Sequence, residues 1–303
     1  MSAASSSKGS PRTAEQVRAY TGPAILSYGF RPFFLGGAMW AAAAIAVWLP
    51  VLNGNLTLPT RLAPVDWHAH ELVFGFVPAI VAGFLLTAVP NWTGRLPVTG
   101  RPLLALASMW LAGRIAVLLS GQIGLAAAAA IDLAFLAALV GVAGREVHAG
   151  ENTRNLKVVG VVALILVGNA VFHAEMLLGG RAEYGARIGI AATVVLIMII
   201  GGRIIPSFTT NWLARQGSAA RPAPPDKTDI RIIGASAVAL GSWVAMPGSP
   251  VTALLCLAAG ALHGYRLSRW HGHLTPREPL VFILHAAYAF VPLGFLLVAA
   301  AAA

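Results

Sequence analysis

Nine runs of apolar residues dominate this chain, at about 33–52, 67–90, 102–120, 124–144, 156–178, 186–206, 230–246, 250–268 and 279–302. Each is close to the roughly 17 to 25 residues that a helix needs to cross a bilayer. Short polar connections part them, apart from a proline-rich stretch at 215–229. A chain that is 57% hydrophobic and 11% charged has too little polar surface to cover a soluble globule. Backbone inside hydrocarbon must also close its hydrogen bonds within each segment. The expected fold is all-α, a polytopic transmembrane helical bundle of about nine helices over residues 30–303 behind a polar tail at residues 1–29. That tail holds no continuous apolar core, so it reads as a cytoplasmic segment and not as a cleavable signal peptide. The one cysteine, Cys256, lies inside an apolar run, which excludes an internal disulfide and a cysteine-rich metal or iron-sulfur site.

The net charge of +10 is spread through the short connections and not gathered on one face, which argues against a nucleic-acid partner. Topology explains it better. With the N-terminus inside, 17 of the 21 lysines and arginines fall on the cytoplasmic side, three (Arg61, Arg181 and Arg187) fall outside, and Arg114 lies within a helix. That asymmetry follows the positive-inside rule. No nucleotide-binding glycine motif and no serine-histidine-aspartate arrangement is visible, so an ATPase or hydrolase has no support.

Orientation gives each polar residue a depth, and ionisable groups at membrane depth are costly enough to be kept mainly for function. Asp66-Trp67-His68-Ala69-His70-Glu71 opens the second apolar run at its outer end, and His173 and Glu175 close the fifth at the same level. Residues two apart on a helix point about 200° away from each other, so His68 and His70 cannot both hold one ion on a regular helix. His173 and Met176 share a face, and together with His68 or His70 they would form a copper site, since imidazole and thioether both suit copper. His263 and His285 lie at matched height near the inner surface on consecutive helices, an arrangement that facing axial histidines of a haem would have. Arg114 and Asp132 match in depth on the third and fourth runs, which predicts an ion pair, with Arg114 alternatively turned toward an anionic cofactor group. Asn91 and Asn211 sit in similar Asn-Trp segments at the cytoplasmic side, with Arg203 shortly before the second, and are candidates to meet such a group.

Several separated motifs now stand together. They are Ser27-Tyr-Gly-Phe-Arg31-Pro-Phe-Phe34, Trp67-His-Ala-His-Glu71 with Phe74-Gly75-Phe76, Gly83 to Arg95, Asn169 to Glu175, Gly202-Arg203-Ile-Ile-Pro206 to Trp212, Leu262-His263, and Leu284-His285-Ala-Ala-Tyr288. In this order they resemble the NnrS family, bacterial membrane proteins linked to nitric oxide and denitrification and described as containing haem and copper. The resemblance runs from about residue 24 to the C-terminus. It implies a multi-pass protein of the bacterial inner membrane that binds copper and a b-type haem and protects against nitrosative stress. His68, His70, His173, His263 and His285 are the ligands carried over. Family members have about twelve helices and a further histidine in a C-terminal segment, whereas this chain ends after the ninth run, so a ligand from that segment is expected to be absent.

Three functional classes remain in view. The first is a haem and copper protein handling nitric oxide, with redox catalysis left open and with an electron donor or a second copy of the chain as partner beside the lipid bilayer. The second is a cofactor-free transporter or channel that uses the intramembrane histidines and carboxylates as its path. The third is an assembly subunit, for which apolar runs alone suffice.

Overall fold

The computed structural model describes residues 20–303, and most of the polar tail expected at 1–29 lies outside them. Among the described residues every regular element is helical. The chain divides into two compact units, Met1–Ala182 and Glu183–Ala303.

The first unit contains α1 (Phe30–Leu52), α2 (Pro64–His70), a π-helical turn (Glu71–Phe76), α3 (Val77–Thr93), α4 (Gly100–Leu118), α5 (Leu125–Ala149) and α6 (Leu156–Leu177). Helix α2, the π turn and α3 form one continuous span, Pro64–Thr93. Pro64 occupies the first turn of α2, where a missing N–H costs nothing. Gly94, with φ of 70°, ends α3 in the left-handed conformation that closes many helices. Helix α1 packs on α3 and the π turn, α4 on α5, and α5 on both α3 and α6. The π turn is thereby enclosed between α1 and α4.

The second unit contains α7 (Tyr184–Arg215), α8 (Lys227–Ala245), α9 (Pro250–Ser268) and α10 (Pro279–Ala302). Helix α7 contacts α8 and α10, α8 contacts α9, and α9 contacts α10, which closes a four-helix bundle. Its core includes Met198, Ala239, Cys256, Trp270, Tyr288 and Phe295. Cys256 is buried and unpaired, as the sequence requires. Asp226 caps α8 through the backbone N–H groups of Thr228 and Asp229, and Asp229 returns the bond to the Asp226 N–H.

Helix ends and the number of candidate spans differ from the sequence reading, and the Pro90-Asn91-Trp92 segment lies within α3. Helix α7 continues through Pro206 to Arg215, so the Thr210-Asn211-Trp212 segment is helical and not a connection. Proline is tolerated inside such helices where neighbouring groups satisfy the freed backbone. Among the described residues eight helices are long and apolar enough to cross a membrane, against nine apolar runs in the sequence. The ninth, α8, forms as a helix, but its first turns carry Lys227, Asp229 and Arg231 and lower its hydropathy. Outward-facing side chains such as Met39, Leu254 and Phe290 are 65 to 71% exposed and present the apolar surface expected against lipid. The chain is a multi-pass, all-α membrane protein.

Candidate metal centre

The π turn is where the first unit departs from regular helix, and such turns are frequent at functional sites. It begins at Glu71, directly after His70, and contains Gly75. A Cβ on residue 75 would come within 2.5 Å of Arg114 Nη1 and 2.8 Å of Glu71 Oε2, so glycine lets the guanidinium lie against the turn. The Gly75 carbonyl accepts a hydrogen bond from Trp110 Nε1 at 2.9 Å. Trp110 and Arg114 are four apart on α4 and share a face, which directs both onto the π turn.

Around Arg114 gather six polar side chains from five segments, all but one of them below 4% exposure. Its Nη1 donates to Glu71 Oε2 at 2.8 Å, and its Nη2 pairs with Asp132 Oδ1. Trp40 Nε1, from α1, donates to Glu71 Oε2 at 2.7 Å. His70 places Nδ1 3.1 Å from Glu71 Oε1 and Nε2 3.2 Å from both Asp132 Oδ2 and Asn169 Oδ1. His173 Nε2 lies 2.9 Å from Asp132 Oδ2, which also accepts from Asn169 Nδ2 at 2.8 Å. His70, Glu71, Arg114, Asp132, Asn169 and His173 are each 0 to 3% exposed, while Trp40 is half-buried.

The hydrogen-bond pattern fixes the charges. Both carboxylates receive several donors, which only ionised groups accept fully. Both nitrogens of His70 face acceptor oxygens, so each carries a proton in this arrangement and the ring is an imidazolium. Two anions, Glu71 and Asp132, thus balance two cations, Arg114 and His70. A buried charge set of this kind persists only when it is paired in this way.

One ligand atom from each of His70, Asp132 and His173 lies within 4.8 Å of the others, the one group among the described residues with the spacing of a metal centre. Two imidazoles and one carboxylate form a donor set that copper, zinc or iron accepts. Sequence reasoning found both histidines and the Arg114–Asp132 pair, which is present here. It did not find that Asp132 completes the donor set, nor that Glu71, Asn169 and Trp40 surround it. Met176 is half-buried on α6 and is not part of the three-donor group.

The remaining expected residues lie elsewhere. The His68 ring stacks on Trp48 with centroids 3.9 Å apart, and its Nδ1 has no hydrogen-bond partner among the described residues. In the second unit His263 is engaged at both nitrogens, by Ser236 Oγ and by the Tyr288 hydroxyl, each at 2.9 Å. Tyr288 in turn accepts from Arg266 Nη1 at 2.6 Å, and Arg266 Nε donates to Asp229 at 2.6 Å. His285 bonds Thr209, so the two inner histidines are tied to different partners. Asn91 and Asn211 are exposed, and Arg203 is half-buried on α7.

No curated protein and no solved structure gives a significant match to this chain. The model of one family, described as NnrS protein, matches residues 24–303, nearly the whole of the apolar helical region and every residue of the buried cluster. The chain belongs to the NnrS family.

Proposed function

We propose that the first unit holds a copper ion at His70, Asp132 and His173, and that this centre binds nitric oxide in resistance to nitrosative stress in the inner membrane of a bacterium. The convergence of three donor atoms beside a neutral Arg114–Glu71 arrangement carries the reading. Removing the Nε2 proton of His70 and placing one monovalent cation there leaves the net charge of the pocket unchanged. Cu(I) matches that exchange, and imidazole is a ligand copper accepts. His173 offers its Nε2 lone pair once its proton moves to Nδ1, and Asp132 remains anionic through its bond to Arg114. Bound copper would supply an open coordination position for a diatomic ligand. The protein's own contribution is a buried donor set, a fixed Asp132 oxygen and a His70 ring oriented through Nδ1 by Glu71.

Haem, which the family resemblance implies, fits these residues poorly. The rings of His70 and His173 are 5.0 Å apart, which leaves no room for a porphyrin between them. Both nitrogens of His263 are occupied, and His285 offers only Nδ1, where its own Cβ stands in the way of a porphyrin plane. The test of the copper reading is metal content of the detergent-purified protein beside His70→Ala and His173→Ala. Loss of one copper per chain in both variants supports it, and full retention in both would contradict it.

A further inference from the structure

Apart from the buried cluster, the first unit has an open cavity where α3 stops, α4 begins and α5 runs out. It holds about 810 Å³ and is lined by the connection 94–99, by α4 and by α5. That volume lies within the roughly 300 to 1,000 Å³ of small-molecule sites. The backbone beside it is fixed. Gly94 turns the chain out of α3, the Arg95 N–H donates to Thr93 Oγ1 at 3.3 Å, and Asn152 Nδ2 donates to the Trp92 carbonyl at 2.6 Å. Gly150, just past α5, lies so close that a Cβ there would come 2.4 Å from Thr93 Cβ.

The rim of the cavity is basic. Glu146 Oε2 accepts from Arg95 Nε at 2.5 Å, and Oε1 accepts from Arg145 Nη2 at 2.8 Å and from Nε at 3.1 Å. The Glu146 side chain is 11% exposed, against 44% for Arg95 and 72% for Arg145. Two guanidiniums against one carboxylate leave one positive charge in excess. Each guanidinium meets Glu146 along part of its fork only, and both terminal nitrogens of Arg95 are without a hydrogen bond among the described residues. The inner wall is apolar. Pro102, Leu106 and Met109 share one face of α4, and Val142 of α5 lines the same cavity. From Pro102 to Met109 the wall runs about 10 Å along a helix that is long and apolar enough to cross a membrane.

We propose that this cavity binds an anionic phospholipid, its phosphate held by Arg95 and Arg145 and an acyl chain laid along Pro102, Leu106 and Met109. Charge complementarity selects the headgroup, because a phosphodiester carries the one negative charge that the rim lacks. The planar fork of arginine also fits phosphate oxygens. The apolar wall selects a lipid over a free anion, since only the lipid covers it. Basic pockets between helices at a cytoplasmic membrane surface take such headgroups. The positive-inside rule assigns this end of α4 and α5 to that surface. The site shares no residue with the His70, Asp132 and His173 centre and does not rest on the copper reading.

The test is native mass spectrometry of the delipidated, full-length protein in detergent, titrated with phosphatidylglycerol, phosphatidylcholine and inorganic phosphate. The expected result is one phosphatidylglycerol held roughly 30-fold more tightly than phosphatidylcholine, the worth of two arginines at an anionic lipid, with no displacement by inorganic phosphate. Arg95→Gln/Arg145→Gln should bring phosphatidylglycerol down to the level of phosphatidylcholine. Arg221→Gln/Arg277→Gln, which alters two exposed arginines of the second unit, should leave the preference unchanged. Met109→Trp fills the apolar wall, keeps both arginines on Glu146, and should weaken phosphatidylglycerol binding about tenfold. Equal affinity for the two lipids in the parent protein would overturn the proposal, as would equal losses in the two arginine double variants or unchanged binding in Met109→Trp. Displacement of the lipid by inorganic phosphate would also overturn it, making the rim a site for free anions.

Discussion

At the scale of single residues, the neutrality of the Arg114, Glu71, Asp132 and His70 set is the central feature. Removing one partner from a buried ion pair costs about 3 to 5 kcal/mol, because the other charge is left uncompensated. Asp132→Asn is expected to lower the denaturation free energy by about that amount. Adding Arg114→Gln should cost less than the sum of the two single changes, since the second removes the charge that the first stranded. Additive effects in denaturant melts would show that the charges do not act as one set. Depth arithmetic made the Arg114–Asp132 pair legible in the sequence, because each residue's height follows from its distance to a helix end. It could not place Asp132 against His173 or Asn169 against His70. Height is only one coordinate, and the direction a side chain takes around its helix depends on packing. Trp40 gave no signal, being one of two tryptophans in an apolar run, with Trp48.

At the scale of the element, the π turn is what apolar patterning cannot show. The run 67–90 reads as one regular helix, yet its register shifts at Glu71–Phe76. Trp110 holds the turn through the Gly75 carbonyl, and Trp110→Phe removes that bond while keeping most of the ring volume. The expected loss is about 1 kcal/mol, the net worth of one hydrogen bond. Amide exchange in residues 71–76 should quicken, and unchanged protection there would mean that the turn is held by packing alone. The start of α8 is expected to respond to pH. The hydrogen-bonded Arg269 guanidinium, and after it the Asp229 backbone N–H, hold the Asp226 carboxyl well below the usual carboxylate range. A carboxyl depressed in the folded state contributes its full stability above its unfolded value of about 3.9 and loses it as the pH falls toward the folded value. Asp226→Ala should therefore melt below the parent at pH 7, and the gap should narrow as the pH drops below about 4. A gap independent of pH would place the effect outside this cap.

At the scale of the whole molecule, the all-α architecture and nearly every helix were legible, because apolar length is a strong constraint in a bilayer. The exception is instructive. Helix α8 falls short of the apolarity of the others, yet it packs between α7 and α9, and its Asp229 is paired with the buried Arg266. A polar turn neutralised in this way is carried by the bundle, which hydropathy taken helix by helix does not register. If α8 crosses as the ninth helix, as the sequence reading expects, a reporter fused after Ala303 should respond as an external one when the N-terminus is cytoplasmic. An internal signal there would mean that α8 does not cross.

The most direct measurement is copper per chain in the purified protein and in His70→Ala, His173→Ala and Asp132→Asn, with the ligand-binding spectrum recorded on adding nitric oxide. The expected result is one copper fewer in each variant than in the parent, together with loss of the nitric oxide response. Copper content and nitric oxide response that stay the same in all three would contradict a metal centre at His70, Asp132 and His173.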